Sequence, residues 1–502
     1  MRGSSSRRAF LTAGLVGLTA RGERRIEGGF YDDGIPQGHK LRDRTTFAAP
    51  RQKQRVPVVI VGGGMAGLCA AWRLNKKGFR DFVVLELERE AGGNARSGEN
   101  EVSRYPWAAH YVPVPNREST LVRELLEEFG VMQDGKVDER FLCFAPQERL
   151  FLYGRWQEGL EPDAGVTTRD REQFKRFAEL IREQRATGQF TIPIESGARP
   201  SDLDRMSMTA FLDQHRFDSS HLRWYVDYAC RDDYGAHASD TSAWAGIHYF
   251  ASREHEDKGP VTWPEGNGWL TRELMKRVGA HVRSGATVYA VLKNGTRWRV
   301  LTEAIEYECD VVIFAAPTFL AHYLVEGAPP ARGFVYSPWV TANLTLDRMP
   351  RERGSEVAWD NVIYDSRALG YVSATHMSLK TRIDRSVWTW YWAMADRTPA
   401  SNRQALLSKD WQWFADYVLA DLEKAHRDIR QCVSRIDVLR IGHAMARPVV
   451  GFLGSEDRKR WSAGNERILY ANSDLSGVSI FEEAQYRGVR GADRALSIVG
   501  RR

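Results

Sequence analysis

The sequence predicts an α/β fold in two parts, and three stretches of the 502-residue chain carry that prediction. Residues 56–78 (VPVVIVGGGMAGLCAAWRLNKKG) pass from an apolar strand through a glycine-rich turn into a helix. Residues 285–319 (GATVYAVLKNGTRWRVLTEAIEYECDVVIFAAPTF) read as a meander of short strands ending in a buried one. Residues 465–496 (NERILYANSDLSGVSIFEEAQYRGVRGADRAL) put a further strand before a closing helix. Continuous β-branched strands joined to helices belong to a parallel sheet covered on its faces. Because the stretches lie far apart, one domain must be assembled from separated segments, with a second, mixed α+β domain built from the chain between them.

The first stretch has the sharpest chemistry. The run Val58 to Val61 ends in Gly62-Gly63-Gly64-Met65-Ala66-Gly67, and the helix that follows closes at Gly78. Gly62 permits the tight turn, Gly64 lets the backbone approach a pyrophosphate, and Gly67 lets the helix pack on the strand. The helix start at Met65 and Ala66 offers unpaired N–H groups and a positive dipole end to phosphates. The second strand, DFVVLELE, ends at Glu86, where a carboxylate can accept from ribose hydroxyls; Leu87 and Glu88 follow it toward the ligand. In the meander, Asn294-Gly295 predicts a hairpin with a type I′ turn. The strand after it ends at Ala315-Ala316-Pro317.

After Glu86 the chain resembles the flavin-containing amine oxidase superfamily, which includes monoamine and polyamine oxidases. The Gly-Gly pair that follows the ribose-binding Glu in that family is matched by Gly92-Gly93, and AAHYVPVPNR (108–117) looks like the loop that passes the flavin ring. This chain has Asn94 where the family usually has Arg, and Ala108-Ala109 where it usually has Gly-Gly. The resemblance implies a two-dinucleotide-binding, Rossmann-like FAD domain with a β-meander. It implies adenine contact near Val288, and a strand delivering Asp474 toward the pyrophosphate and ribitol. It also implies a helix starting near Ile480, its N-terminus aimed at the pyrimidine edge of the flavin, where negative charge develops on reduction. Ala109, His110 and Tyr111 would sit at the ring, and His110 and Tyr111 are the two candidates for contact with substrate. No cysteine lies in the closing motif, so the FAD is expected to be noncovalent.

These segments divide the chain into an FAD domain (56–110, 265–330 and 431–502) and a substrate domain (111–264 and 331–430). In the substrate half, helical periodicity appears in STLVRELLEEFG, REQFKRFAELIREQ and MTAFLDQH, and a strand pattern in RSVWTWYWAM. Trp388, Trp390 and Trp392 alternate onto one face of that strand. Sheet core is the favoured reading for them; the other is an aromatic wall that holds an amine by cation–π contact. Asp227, Asp232, Asp233 and Asp240 form an acidic run that is read as a solvated loop, with selection of a polyamine by charge as the alternative. His237, His248 and His255 lack ligand spacing, so no metal is expected.

The N-terminus supplies a different kind of signal. SSSRRAFLTAGL (4–15) places Arg7-Arg8 before a short apolar run ending near Ala20, the pattern of a twin-arginine export leader over residues 1–20. About ten apolar residues are too few to span a bilayer, so the mature chain is expected to have no transmembrane segment. Residues 21–55 are read as a charged, Gly-rich, extended arm able to pack on the body or on a neighbouring subunit. Three of the charges behind the formal +6 (Arg2, Arg7, Arg8) lie in the leader, and the remainder forms no basic stripe, which argues against nucleic acid. The five cysteines are scattered and never paired as C-x-x-C, consistent with folding in a reducing cytoplasm. Leader and cofactor explain each other: a noncovalent FAD must be trapped by folding in the cytoplasm before export to the periplasm.

The function this implies is oxidation of a C–N bond of an amine by hydride transfer to flavin N5. A phytoene desaturase-like FAD desaturase and an FAD-stabilised, non-catalytic partner protein are the alternatives. The family's oxidases often carry a lysine near N5, in a strand resembling SPWVTANLTLDR; its place falls near Thr341, and no lysine occurs between Lys293 and Lys380. A neutral residue there predicts a dehydrogenase that passes electrons to a carrier in the cell envelope, rather than an oxidase. The family's second flavin-facing aromatic is replaced by Ile480, with Phe481 beside it.

Overall fold

Alternate residues of the Val58–Val61 strand belong to different cores, and that division sets the layering of the cofactor half. A computed structural model describes residues 25–32, 34–197, 202–254, 259–380, 382–465 and 467–500. The export leader and His255 lie outside the described residues. Val58 and Ile60 pack under the helices Met65–Lys76, Gly268–Val278 and Phe481–Val499. Val59 and Val61 pack under the β-meander. With side chains alternating across a strand, a strand buried on both faces has to be apolar throughout, which is what VVIV provides.

This strand is central in a five-stranded parallel sheet, ordered Val282–Arg283, Phe82–Leu85, Val58–Val61, Val311–Phe314, Ile468–Tyr470. N-terminal, middle and C-terminal segments therefore share one sheet. The meander Ala290–Asn294, Arg297–Leu301, Ile305–Cys309 is extended by Gln52–Arg55, which runs parallel to the third strand. In the hairpin, Asn294 pairs with Arg297, so the central turn residues are Gly295 and Thr296. Only Gly295 has a positive φ (59°), so the turn is not the type I′ that Asn294-Gly295 suggested, which needs two.

The second half is built on an eight-stranded sheet ordered Glu27–Phe30, Val433–Ala446, Tyr336–Leu346, Ser386–Ala393, Gly370–Ser373, Asp360–Ile363, Glu148–Leu152, Arg155–Glu158. Its outer face packs on the helix Trp411–Leu422. A helical layer that includes Thr168–Ala186, Met208–Gln214, Ser220–Tyr234 and Ala243–Ala251 completes this half.

Three segment boundaries differ from the sequence reading. The helix Thr120–Glu128, assigned to the substrate half, packs with the cofactor-half helices, and Trp72 donates to Glu128 at 3.0 Å. The strand Val433–Ala446, assigned to the cofactor half, lies inside the large sheet. The 21–55 arm is not simply extended: Glu27–Phe30 joins the large sheet parallel to 435–438, Ile35–Arg42 is a helix, and Gln52–Arg55 joins the meander. Described charged residues of the arm are spread over these elements, Glu27, Lys53 and Arg55 on the strands and Lys40 and Arg42 on the helix.

Candidate active site

Two cavities adjoin between the halves. The larger, about 340 Å³, follows the carboxyl ends of the parallel strands past Val61, Leu85 and Ala315, the crevice where open α/β sheets bind ligands. Of the residues singled out for FAD, its lining holds Gly62, Gly64, Met65, Ala66, Glu86, Leu87, Glu88, Gly92, Gly93, Asn94, Ala109, Val288, Ala315, Asp474 and Ile480. Gly67 lies behind it: a Cβ there would sit 1.9 Å from the Gly62 carbonyl oxygen, so this glycine serves helix-on-strand packing. Gly62 has φ 103°, a conformation side chains resist. At Gly64 an added Cβ would meet only Gly93 Cα, at 3.9 Å. That leaves backbone open for a phosphate beside the start of the Met65–Lys76 helix.

Glu86 is organised by the same turn. One carboxylate oxygen accepts from Gly63 N at 2.6 Å and the other from Glu88 N at 2.8 Å. Burial pushes its carboxyl up and these bonds pull it back; both oxygens keep lone pairs for ribose hydroxyls. Asp474 also lines the cavity, but its Oδ2 accepts from Thr318 N at 2.8 Å and from the Tyr336 hydroxyl at 2.7 Å. It therefore ties the turn after Val311–Phe314 to the large sheet as well as facing the cavity.

The smaller cavity, about 150 Å³, opens beside Asn94, Ala109, Asn267, Ala444, Ile480 and Phe481, which line both. His110 and Tyr111 are in its wall. The His110 ring lies 4.7 Å from Tyr391 and 5.3 Å from Trp359, and its Nδ1 is 3.1 Å from the Ala108 carbonyl. Burial pulls its pKa down to about 4, so the ring is neutral at physiological pH. Tyr391 donates to the same carbonyl at 2.9 Å. Thr341 also lines this cavity, and its hydroxyl donates to the Trp107 carbonyl at 2.6 Å. Among the described residues, no lysine lines either cavity.

The strand Ser386–Ala393 settles the tryptophan alternatives. Trp388, Trp390 and Trp392 point into the outer core against the Trp411–Leu422 helix, so they form no wall over the cofactor. The opposite face supplies Tyr391 and, from the neighbouring strand, Trp339. The acidic run meets its expectation only at Asp240, in an exposed turn: Asp227, Asp232 and Asp233 lie on the helix Ser220–Tyr234, not in a solvated loop. Asp232 and Asp233 line the smaller cavity together with Arg253 and Glu482. Burial first, then the neighbouring Asp233 and Glu148, push the Asp232 carboxyl up to about 7; burial pushes that of Asp233 to about 6. Asp227 is used elsewhere, clasping His237 (3.1 Å) and Arg231 (3.0 Å).

Asn267, Arg253, Tyr391, Trp339 and Glu482 were not found from sequence. Asn267 is the most informative of them. Only 2% exposed, it donates to the Tyr111 carbonyl at 3.0 Å, while its side-chain oxygen has no partner. An orphaned acceptor at the junction, the open backbone at Gly64 and the Glu86 carboxylate form a donor and acceptor set that fits FAD.

Residues 60–129 match the NAD(P)-binding Rossmann-like domain family. Over 111 residues the chain is 34% identical to the Baeyer-Villiger monooxygenase peniC of Penicillium patulum, a match covering 22% of this chain and 16% of that protein. In three dimensions the similarity extends much further. A redesigned putrescine oxidase superposes with a TM-score of 0.68 at 16% identity, over 89% of this chain and 100% of the other. The chain has the flavin amine oxidase fold. Cyclohexylamine oxidase from Brevibacterium oxydans gives 0.64 at 13% identity, over 89% and 99%. No helix among the described residues is long and apolar enough to cross a membrane.

Proposed function

We propose that this protein is an FAD-dependent oxidoreductase that oxidises the C–N bond of an amine. The observation that carries the reading is the junction of the two cavities. An aromatic-walled chamber opens, through uncharged residues only, onto the crevice that fits FAD. Bound noncovalently there, FAD supplies the acceptor for the two electrons and the hydrogen that leave the substrate carbon. The protein's own groups hold and orient: Tyr391, Trp339 and His110 confine an alkylamine, and the neutral His110 ring brings no positive charge that would repel it. An amine with a free lone pair loses hydrogen from its α-carbon to give an imine, which takes up water and releases a carbonyl product.

Two finer readings belong to the proposal. Thr341, at the expected lysine position, is neutral and held by Trp107, which supports a dehydrogenase that hands electrons to an envelope carrier. The Arg7-Arg8 leader supports export through the twin-arginine pathway to the periplasm. Anaerobic mixing of the yellow holoenzyme with a panel of amines tests the core of the proposal. Bleaching by amines supports it, whereas bleaching only by polyenes, or by no candidate, points to the desaturase or the non-catalytic alternative.

A further inference from the structure

A single layer of chain separates the cavity junction from an open surface groove of about 920 Å³. Asn94 and Ala95 line the FAD crevice, while the next two residues, Arg96 and Ser97, line the groove. Asn267 lines both cavities and Gly268 the groove; Ala108 lines the smaller cavity and Trp107 the groove. Consecutive Cα atoms are about 3.8 Å apart, so the groove lies directly behind the junction. The layer is tightly packed. A Cβ at Gly268 would sit 2.4 Å from that of Ser97, and the Thr271 hydroxyl donates to the Ala95 carbonyl at 2.9 Å.

Trp107 bridges this layer. Its carbonyl accepts from the Thr341 hydroxyl of the smaller cavity at 2.6 Å, and its buried ring stacks on Tyr31 with centroids 4.0 Å apart and planes 6° from parallel. Tyr105 meets the same ring edge-on at 5.6 Å, and both tyrosines line the groove. The lining carries five arginines and no lysine against three carboxylates. Arg435 also lines a second groove, beside the edge strand Glu27–Phe30, where five arginines stand against two carboxylates. Some of these arginines pair with carboxylates beneath them: Glu265, 4% exposed, holds Arg272, and Asp428, 19% exposed, holds Arg348. The guanidinium groups are the more exposed partners, so the face turned to solvent is cationic.

We propose that electrons leave the protein here: an acidic one-electron carrier protein docks over the two grooves, and the stacked Trp107 and Tyr31 rings couple the junction to its metal centre. This rests on the dehydrogenase reading above and names the partner and the route. The hydride taken from the amine is resolved into two electrons, one for each of two carriers docking in turn, and one proton released to water. The rings are neither oxidised nor reduced; they fill with packed side chain a gap that water would otherwise occupy. Outward guanidinium groups steer an acidic partner onto the face at a rate that salt suppresses. Transient redox encounters bury less than about 1,200 Å², so a shallow face of this kind suffices.

The test starts from holoenzyme reduced with dithionite, so that no amine is required. Stopped-flow reoxidation by an acidic c-type cytochrome and by a basic one is followed at low and high salt. Isothermal titration of the oxidised pair measures binding alone. Wild type is expected to favour the acidic cytochrome about tenfold or more at low salt, with the advantage lost at high salt. Arg104→Glu combined with Arg435→Glu is expected to weaken binding and slow reoxidation about tenfold, whereas Arg205→Glu, on the exposed turn Asp202–Arg205, changes neither. Trp107→Leu is expected to slow electron transfer severalfold with binding unchanged, and Trp107→Phe to restore part of it. Tyr31→Leu makes the same test without altering the residue that holds Thr341. FAD content and melting temperature establish that each variant is folded. Equal reoxidation by both cytochromes, a rate indifferent to the arginine reversals, or reoxidation by a water-soluble quinone but by neither cytochrome overturns the docking face. Unchanged rates in both Trp107→Leu and Tyr31→Leu overturn the route. Fast reoxidation by oxygen alone overturns the dehydrogenase reading, and the proposal with it. Whether amines reduce the flavin is decided separately, by bleaching.

Discussion

Gly488 lies directly against the carbonyl of Ala66: a Cβ at position 488 would sit 2.1 Å from that oxygen. This close approach locks the closing helix Phe481–Val499 onto the dinucleotide helix Met65–Lys76, so the two ends of the chain form one cofactor site. Gly488→Ala is expected to separate the helices, destabilise the protein by about 1–3 kcal/mol and lower FAD retention. Thermal melting and the flavin absorbance of purified protein check this; a variant with full FAD occupancy and an unchanged melting temperature would contradict it.

Glu86→Gln tests the ribose end. The glutamine has one acceptor oxygen for the N–H groups of Gly63 and Glu88, where the carboxylate offers two. One amide is left unpaired and a charge-assisted bond to ribose is lost, at about 1.5–3 kcal/mol. Titration of the apoprotein with FAD is expected to show affinity reduced tenfold or more.

The cofactor half is largely legible in the sequence because its chemistry is local. The glycines of 62–67, Glu86 and the 92–93 pair sit at fixed offsets in one βαβ unit, and the closing helix begins beside its expected N-cap at Ile480. The substrate half is not, because its cavity is assembled from residues hundreds of positions apart. Trp390 and Tyr391 show the difficulty: both are aromatic and adjacent, yet one faces the outer core and the other the cavity. Sequence gives their alternation but not which phase looks inward. Asp232 and Asp233 look like part of a solvated run until the helix bearing them is placed over the cavity. The orphaned oxygen of Asn267 has no sequence signal at all.

The acid pair carries a pH signature. Asp232 faces Asp233, Glu148, Arg231 and Arg253; Asp233 faces Arg253 and Glu482; both act on Tyr111. Their folded pKa values, about 7 and about 6, stand above the ordinary 3.8, so the native state holds these protons more tightly than the unfolded chain. Stability from this source is present below pH 4 and is lost as pH rises toward 7. Asp233→Asn, which removes one buried carboxylate, is therefore expected to raise the melting temperature at pH 8 and to have little effect near pH 4. Melting curves of ligand-free protein at the two pH values check it; an equal shift at both would contradict it.

The proposed dehydrogenase reading rests on the neutral Thr341 in the cavity wall. Stopped-flow mixing of substrate-reduced enzyme with air-saturated buffer is expected to give reoxidation far slower than turnover, with a quinone or cytochrome much faster. Thr341→Lys, which places a cation in the cavity wall, is expected to speed the oxygen reaction about tenfold or more. Oxygen reoxidation in the wild type that keeps pace with turnover would overturn the dehydrogenase reading.

The central claim, that amines reduce a flavin held at the junction of the two cavities, is tested most directly by anaerobic titration of the holoenzyme with a primary amine while the visible flavin absorbance is followed. The account predicts complete bleaching at about one equivalent per bound FAD, with formation of the matching carbonyl product. A flavin band that stays unchanged under excess of every amine tried, in protein with full FAD occupancy, would contradict it.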